Sequence, residues 1–339
     1  MKNNIFKKVF TLGLAAASLF TLTACGGSTE ETPANDGPEK LTVAIVQPMS
    51  HSSLDQIRDT IAAELENNTS IELRFENANG DTTALNTIMQ NLRNDDIDIL
   101  VPIATGGAQS AKAAFEGSGV PIVFAAVSDP EAAGLTGEGS EDITGVSNNI
   151  PADQIVQLIS DFQPDFQKIG FLYNSSETNS VSTIEAAKAY CDENGIAYEE
   201  ASIASLTDLQ TACESLIDRG VDALYTGNDN SIASAMPTYT DIAYTSGIPV
   251  YCGADSMVAD GGLATIGVDY VQLGTQVAAI VERIVAGESP ADIPYETLSE
   301  YARFVNLQAA GRLGLDLSDA VMENYTVLVE ADGTSHFGE

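Results

Sequence analysis

The chain has 339 residues, with 49 Asp and Glu against 14 Lys and Arg, for a formal charge of −35. So acidic a balance disfavours nucleic acid, which needs a basic face, and offers no attraction to anionic lipid headgroups. Two histidines and four cysteines, with no CxxC among them, give a zinc site or a His-based triad little to build from; no metal and no other cofactor is expected.

The N-terminus has three parts. Lys2, Lys7 and Lys8 precede an apolar run from Val9 to Phe20, and Thr21-Leu-Thr-Ala-Cys25 follows. This is the layout of a secretory signal, and the run is shorter than the roughly 20 apolar residues of a spanning helix. A cysteine directly after Leu-x-Ala resembles the bacterial lipoprotein signal. We therefore read residues 1–24 as a signal peptide, Cys25 as a lipidation site and 25–39 as a lipidated tether. The mature protein is expected to be exported and held to the outer face of the cell membrane by lipid, since no later stretch is long and apolar enough to span.

From residue 41 onward, short apolar runs alternate with helical spacing. Val43–Val46 reads as a buried strand, and Leu54, Ile57, Ile61 and Leu65 share one helix face. Ile71–Phe75 alternates like a strand; Leu85, Ile88, Met89 and Leu92 mark a helix. Ile99–Ile103 predicts a strand, a helix follows from about Ala108, and Pro121–Phe124 predicts the next strand. The rhythm returns with strand Ile169–Leu172, a helix to about Glu193, and strand-like Ala197–Ile203. A helix over Thr207–Arg219 comes next, with Thr207 and Gln210 spaced as a capping box. Ala223–Tyr225, a helix near Ile232–Tyr244, Pro249–Tyr251 and Ala264–Val268 complete the series. Such βαβα order predicts parallel sheets with helices on both faces. Cys191 and Cys213 fall on helices and Cys252 on a strand, where each serves as a small buried hydrophobe. Their odd number excludes a complete disulfide framework.

The two halves overlay. Asp98-Ile-Leu-Val matches Asp222-Ala-Leu-Tyr, Gly119-Val-Pro-Ile matches Gly247-Ile-Pro-Val, and Val43-Ala-Ile-Val matches Ile169-Gly-Phe-Leu, at offsets of 124, 128 and 126. The predicted fold class is thus α/β, with two similar doubly wound parallel-sheet lobes. In such sheets ligands bind beyond the carboxyl ends of the strands. Those ends carry Ser, Thr, Asn, Gln and Asp and no Lys or Arg, a set suited to a zwitterion: helix N-termini and hydroxyls for a carboxylate, Asp for an ammonium. Tyr173, Phe124, Tyr225 and Tyr270 are candidates to wall an apolar side chain. His51, in the first such loop, reads as a surface or supporting residue. Asp95-Asp96-Ile-Asp98 reads as a strand turn rather than a metal site. A hydrolase has neither a Gly-x-Ser-x-Gly elbow nor a central His to draw on. A sensory or structural surface protein of the same fold stays open.

Several segments resemble the substrate-binding lipoproteins of ABC transporters with the type 1 periplasmic-binding fold, in the branch that includes tryptophan- and other aromatic amino-acid-binding proteins. They are Ala125–Pro130 with Thr144–Ser147, Tyr173–Ser180, Asn228–Ser234, Gly261–Ala264 and Phe304–Asn306. The resemblance implies two lobes joined by a hinge of three crossings, here 40–149 plus about 270–298 and 150–269 plus about 299–339. The weakly patterned segment 316–339 has no clear place in either. The resemblance implies ligand contacts from Thr105, Gln109, Ser128 and Asp129 in the first lobe, and from Ser176, Asn179, Asp229, Asn230 and Asp255 in the second; Tyr173, from the strand-end reading above, joins them as a candidate contact. The partners implied are a small solute and ABC permease and ATPase subunits, with the receptor a monomer. A hydrophobic or aromatic amino acid is the expected solute, with a nucleoside or sugar as the alternative. The sequence departs from the family after the first strand, where His51-Ser-Ser-Leu-Asp55 stands in place of a His-Pro-x-Leu-Asp-like segment.

Overall fold

The computed structural model describes residues 40–298 and 301–338; the signal, the tether and Cys25 lie outside the described residues. The chain opens with β1 (Leu41–Gln47), α1 (Ser52–Leu65), β2 (Ile71–Asn77), α2 (Thr82–Asn94), β3 (Ile99–Pro102), α3 (Ala104–Phe115), β4 (Ile122–Ala125) and β5 (Ile143–Ser147). It continues through α4 (Ala152–Phe162), β6 (Lys168–Asn174), α5 (Thr178–Asn194), β7 (Ala197–Ile203), α6 (Leu209–Asp218), β8 (Ala223–Thr226), α7 (Asn230–Ala233), α8 (Met236–Thr245), β9 (Val250–Ala254), α9 (Asp255–Ala259) and β10 (Ala264–Val268). Last come α10 (Tyr270–Val285), β11 (Glu296–Thr297), β12 (Ala302–Asn306), α11 (Leu307–Leu313), α12 (Asp319–Asn324) and β13 (Thr326–Val329).

Among the described residues the strands form two sheets, ordered β2-β1-β3-β4-β5-β11 and β7-β6-β8-β9-β10-β12-β13. Each starts with the same winding, so the sequence repeat is a repeat of topology. Pairing is parallel except where β12 runs antiparallel to β10, with Ala264 opposite Val305. Val43–Val46 is uniformly apolar and buried because helices cover both faces of its sheet. The chain passes between the sheets three times: after β5, after β10 and after β11. At the second passage α10 returns to pack on α1. Gly274 permits the approach, since a Cβ there would sit 2.7 Å from Thr60 Cβ.

Several local expectations are corrected. Ser205, not Thr207, caps the turn before α6, its hydroxyl accepting from Thr207 N–H. Helix α3 begins at Ala104 rather than Ala108. The helix expected over Ile232–Tyr244 is two, α7 and α8, broken at Ser234-Ala235 ahead of Pro237. Strands β5, β12 and β13 were not visible in the pattern, and β13 joins 326–329 to the second sheet. In the acidic turn, Asp98 accepts from Thr42 N–H and Asp95 pairs with Arg74 at 2.8 Å. No metal-binding cluster occurs among the described residues, and no helix there is long and apolar enough to cross a membrane.

Candidate ligand-binding site

Two adjoining cavities lie where the carboxyl ends of both sheets face each other. The inner has an empty volume of about 350 Å³ and the outer about 1200 Å³, and they meet at Asn179 and Asn230. Neither is lined by Lys or Arg among the described residues.

The first lobe reaches the inner cavity at the ends of β1, β3, β4 and β5. Ala104 and Ala126 both line it with positive φ, 64° and 59°. A left-handed alanine costs on the order of 1 kcal/mol, and such strain gathers at functional sites. The turn at Ala104 starts α3 directly at the end of β3, so an N-terminus with no side-chain cap opens on the cavity. Ionic and dipolar preference there is for a negative group. Thr105, beside it, is buried and its hydroxyl has no protein partner. Ser128 donates to Asn148 Oδ1 at 3.0 Å, and Asn148 donates to the Tyr270 hydroxyl.

The second lobe contributes Asp229, fully buried. Its Oδ2 accepts from Asn174 N–H at 2.6 Å and its Oδ1 from Ile232 N–H at 2.8 Å, which caps α7. Burial, and then the Glu177 carboxylate, push its pKa up to about 7. Asn179 donates to Asn228 O at 2.6 Å. Asn230 donates its amide to Glu177 at 2.7 Å, while its Oδ1 meets His51 Nε2 at 3.2 Å. Leu54, Ala233, Ala254 and Met257 supply the apolar wall.

Of the residues singled out from sequence, Thr105, Ser128, Asn179, Asp229 and Asn230 line the inner cavity, and Gln109 and Ser176 line the outer one with Asn179 and Asn230. Three line neither. Asp129 caps the turn after β4 through Ala132 N–H. The Tyr173 hydroxyl donates to Glu200. Asp255 is buried against Ser256 N–H, with its pKa pushed up to about 7 by burial. Of the four candidate aromatic walls only Tyr270 faces the cavity; Tyr225 is core, and Phe124 packs on Tyr295. His51, Asn148 and Asn228 are additional lining residues. Asn148 follows β5, whose short Ile-Thr-Gly-Val-Ser run hid the strand end; the strand-end rule applied to Val146-Ser147 would have found it.

Hydrogen bonds cross between the lobes around this space. They join His51 to Asn230, Ser53 to Ser256, Gln109 to Thr178 at 3.3 Å, and Asn228 to Asn148 O at 3.2 Å. The lobes are therefore closed over the cavity.

A sequence profile for the family described as ABC transporter substrate binding protein matches residues 42–329. The chain belongs to this family. As a substrate-binding protein it is a solute receptor, not an enzyme. It is 29% identical over 314 residues to a tyrosine-binding protein of Clostridioides difficile (strain R20291), covering 88% of this chain and 90% of that one. Among solved structures, the ABC domain of Streptococcus pneumoniae in complex with L-Trp is 31% identical, with a TM-score of 0.78, covering 85% of this chain and 99% of that one. The ligand-free, open structure of a substrate-binding protein with adhesive properties from Clostridium difficile is also 31% identical over 85% of this chain and 98% of that one, but with a TM-score of 0.65. Identity and coverage being alike, the difference in score agrees with the closed arrangement of this substrate-binding protein.

Proposed function

We propose that this substrate-binding protein captures an aromatic amino acid in the inner cavity and delivers it to an ABC permease, while a lipid on Cys25 keeps it at the membrane. The observation that carries the solute reading is the cavity itself. It is closed by both lobes, free of Lys and Arg, and combines an uncapped helix N-terminus, a buried Asp and an apolar wall with Tyr270. A carboxylate is served by the α3 terminus and Thr105, an ammonium by Asp229, and an apolar side chain by Leu54 and Met257. A phosphorylated ligand would find no cation. Bridging both lobes, the solute favours the closed form by its differential affinity, and that form is the one a permease would recognise. The tether, 14 residues from Gly26 to Glu39, keeps the receptor at high local concentration near its transporter.

A thermal-shift screen of the mature protein against L-amino acids, nucleosides and sugars tests the solute. Ligand at a hundred times Kd stabilises by about 2.7 kcal/mol. We expect the upward shift with L-tyrosine, L-tryptophan or L-phenylalanine; a shift confined to nucleosides or sugars would replace the amino-acid reading. Cys25→Ala tests the anchor: the variant should leave the membrane fraction, and one that stays there removes the lipid from the scheme.

A further inference from the structure

His51 stands at the junction of α1 with the inner cavity, and the hydrogen-bond network fixes its tautomer. Glu177 accepts bonds from Asn230 N–H, Ser231 N–H and the Ser231 hydroxyl, at 2.9, 2.8 and 2.6 Å, in addition to the Asn230 amide. An ionised carboxylate only accepts, so the Asn230 NH₂ must face it and Asn230 Oδ1 must face His51. Oδ1 is an acceptor; His51 Nε2 therefore donates and carries the ring proton. Burial lowers the His51 pKa, against the pull of Asn230, of Glu177 just before α5 and of Asp55 in the first turn of α1, which favours the neutral ring. In that neutral tautomer Nδ1 is a bare acceptor. It is buried and has no partner in the protein, and His51 lines the inner cavity. A buried acceptor without a partner is costly, on the order of 1–3 kcal/mol, unless something else satisfies it.

We propose that His51 reads the solute directly, its Nδ1 accepting a hydrogen bond from an N–H or O–H of the captured molecule while its Nε2 holds Asn230 across the cleft. The inference rests on the inner cavity being the solute site. It makes one imidazole both a recognition group and a closure contact. The class of solute it selects presents a donor at that point, and an analogue lacking the donor leaves Nδ1 buried and unpaired. The Thr105 hydroxyl, also buried, unpartnered and on a residue that lines the inner cavity, marks where a further polar group of the solute would lie.

The variant that separates the two roles is His51→Gln. Its amide nitrogen takes the place of Nε2 and can still donate to Asn230, while its carbonyl oxygen, on a flexible chain in place of a ring, is not held at the position of Nδ1. Calorimetric titration of wild type and H51Q with L-tyrosine, L-tryptophan, L-phenylalanine, a nucleoside and a sugar gives the first readout. We expect Kd for the bound solute to rise about tenfold or more in H51Q, with the compact, ligand-saturated scattering profile retained. The second readout needs no variant at position 51. The protein has two histidines, so ¹⁵N-histidine labelling yields two imidazoles, told apart by His336→Gln. On saturation the His51 Nδ1 resonance should move toward a hydrogen-bonded acceptor while Nε2 keeps its proton. An H51Q affinity within about twofold of wild type, well below the cost of an unpaired buried group, overturns the proposal. So does an Nδ1 resonance unmoved at saturation, which decides the matter even if H51Q fails to fold. If a nucleoside or sugar is the member that binds and H51Q weakens it, the role of His51 stands and the amino-acid reading falls. If an amino acid binds both proteins equally, the reverse holds.

Discussion

Asp229 shows how one side chain serves both fold and site. Both of its oxygens accept backbone N–H bonds, yet burial and Glu177 hold its pKa near 7 rather than near the usual carboxylate range. A carboxyl whose folded pKa exceeds its unfolded one binds its proton more tightly in the native state. The stability it contributes is complete below about pH 4 and is lost as pH rises through about 7. Ligand-free wild type should therefore lose stability relative to Asp229→Asn over that window, while Asp255, raised in the same way, acts equally in both proteins. Urea unfolding across the pH series checks this, and parallel curves would refute it. At this scale the sequence was half legible. Strand-end Asp and Asn residues were visible as a set, but capping and ligand contact use the same residue types: Asp129, Asp269 and Asn306 cap turns or helices. Nothing in the pattern told Asp229, which lines the cavity, from Asp129, which does not although Ser128 beside it does. The role of His51 depends on Glu177 and Asn230, 126 and 179 residues away, a relation that spacing along the chain does not carry.

Among the elements, β9 packs on the loop between β8 and α7 through a glycine. A Cβ on Gly253 would sit 2.5 Å from Asn228 Oδ1, 2.8 Å from Gly227 C and 2.9 Å from Asn228 N. Backbone cannot rotate aside as a flexible side chain can. Gly253→Ala should cost about 1–3 kcal/mol in urea unfolding, and should also weaken solute binding, because the displaced Asn228 makes a bond across the lobes. Gly106 in α3 meets nothing within 4 Å at the same test, so Gly106→Ala should leave stability unchanged or raise it by up to about 1 kcal/mol. Equal losses in the two variants would discard the packing argument. The elements with strong periodicity were legible: β1, α1, α2, β6 and β10 have buried runs or single apolar faces. The short or mixed ones were not. β12 carries Arg303, which reaches Asp161 and Tyr325, so a charge sits inside its strand pattern. β5 includes Gly145, whose φ of 153° brings it against Phe124, where a side chain would collide.

At the scale of the whole molecule, closure is the event that turns a cleft into a cavity. Gln109 and Thr178 meet across the outer space, away from the inner lining, and so report on closure more than on contact with the solute. Gln109→Ala should raise Kd about two- to tenfold, the worth of one net hydrogen bond. The change should fall mainly on the dissociation rate, since the bond forms after encounter. Stopped-flow kinetics separate the two, and an effect confined to association would contradict the assignment. This level was the most legible from sequence. Offsets of 124 to 128 residues between matching segments become two sheets with the same winding, because each matched run is a buried strand whose neighbours must also be parallel. The closure bonds were not legible, because each joins residues from opposite lobes.

The three passages between sheets also govern the order in which the protein can be built. A chain emerging from its N-terminus releases β1 to β5 early, but α10, which covers α1, and β11, the edge of that first sheet, come only after five strands of the other lobe. Until about residue 285 is free, the face of α1 against which α10 packs has no cover, and until about residue 297 the first sheet lacks its border. The older lobe thus waits for β6 to β10 of the younger one before it can finish, and the nascent N-terminal half spends most of synthesis short of its own completed core.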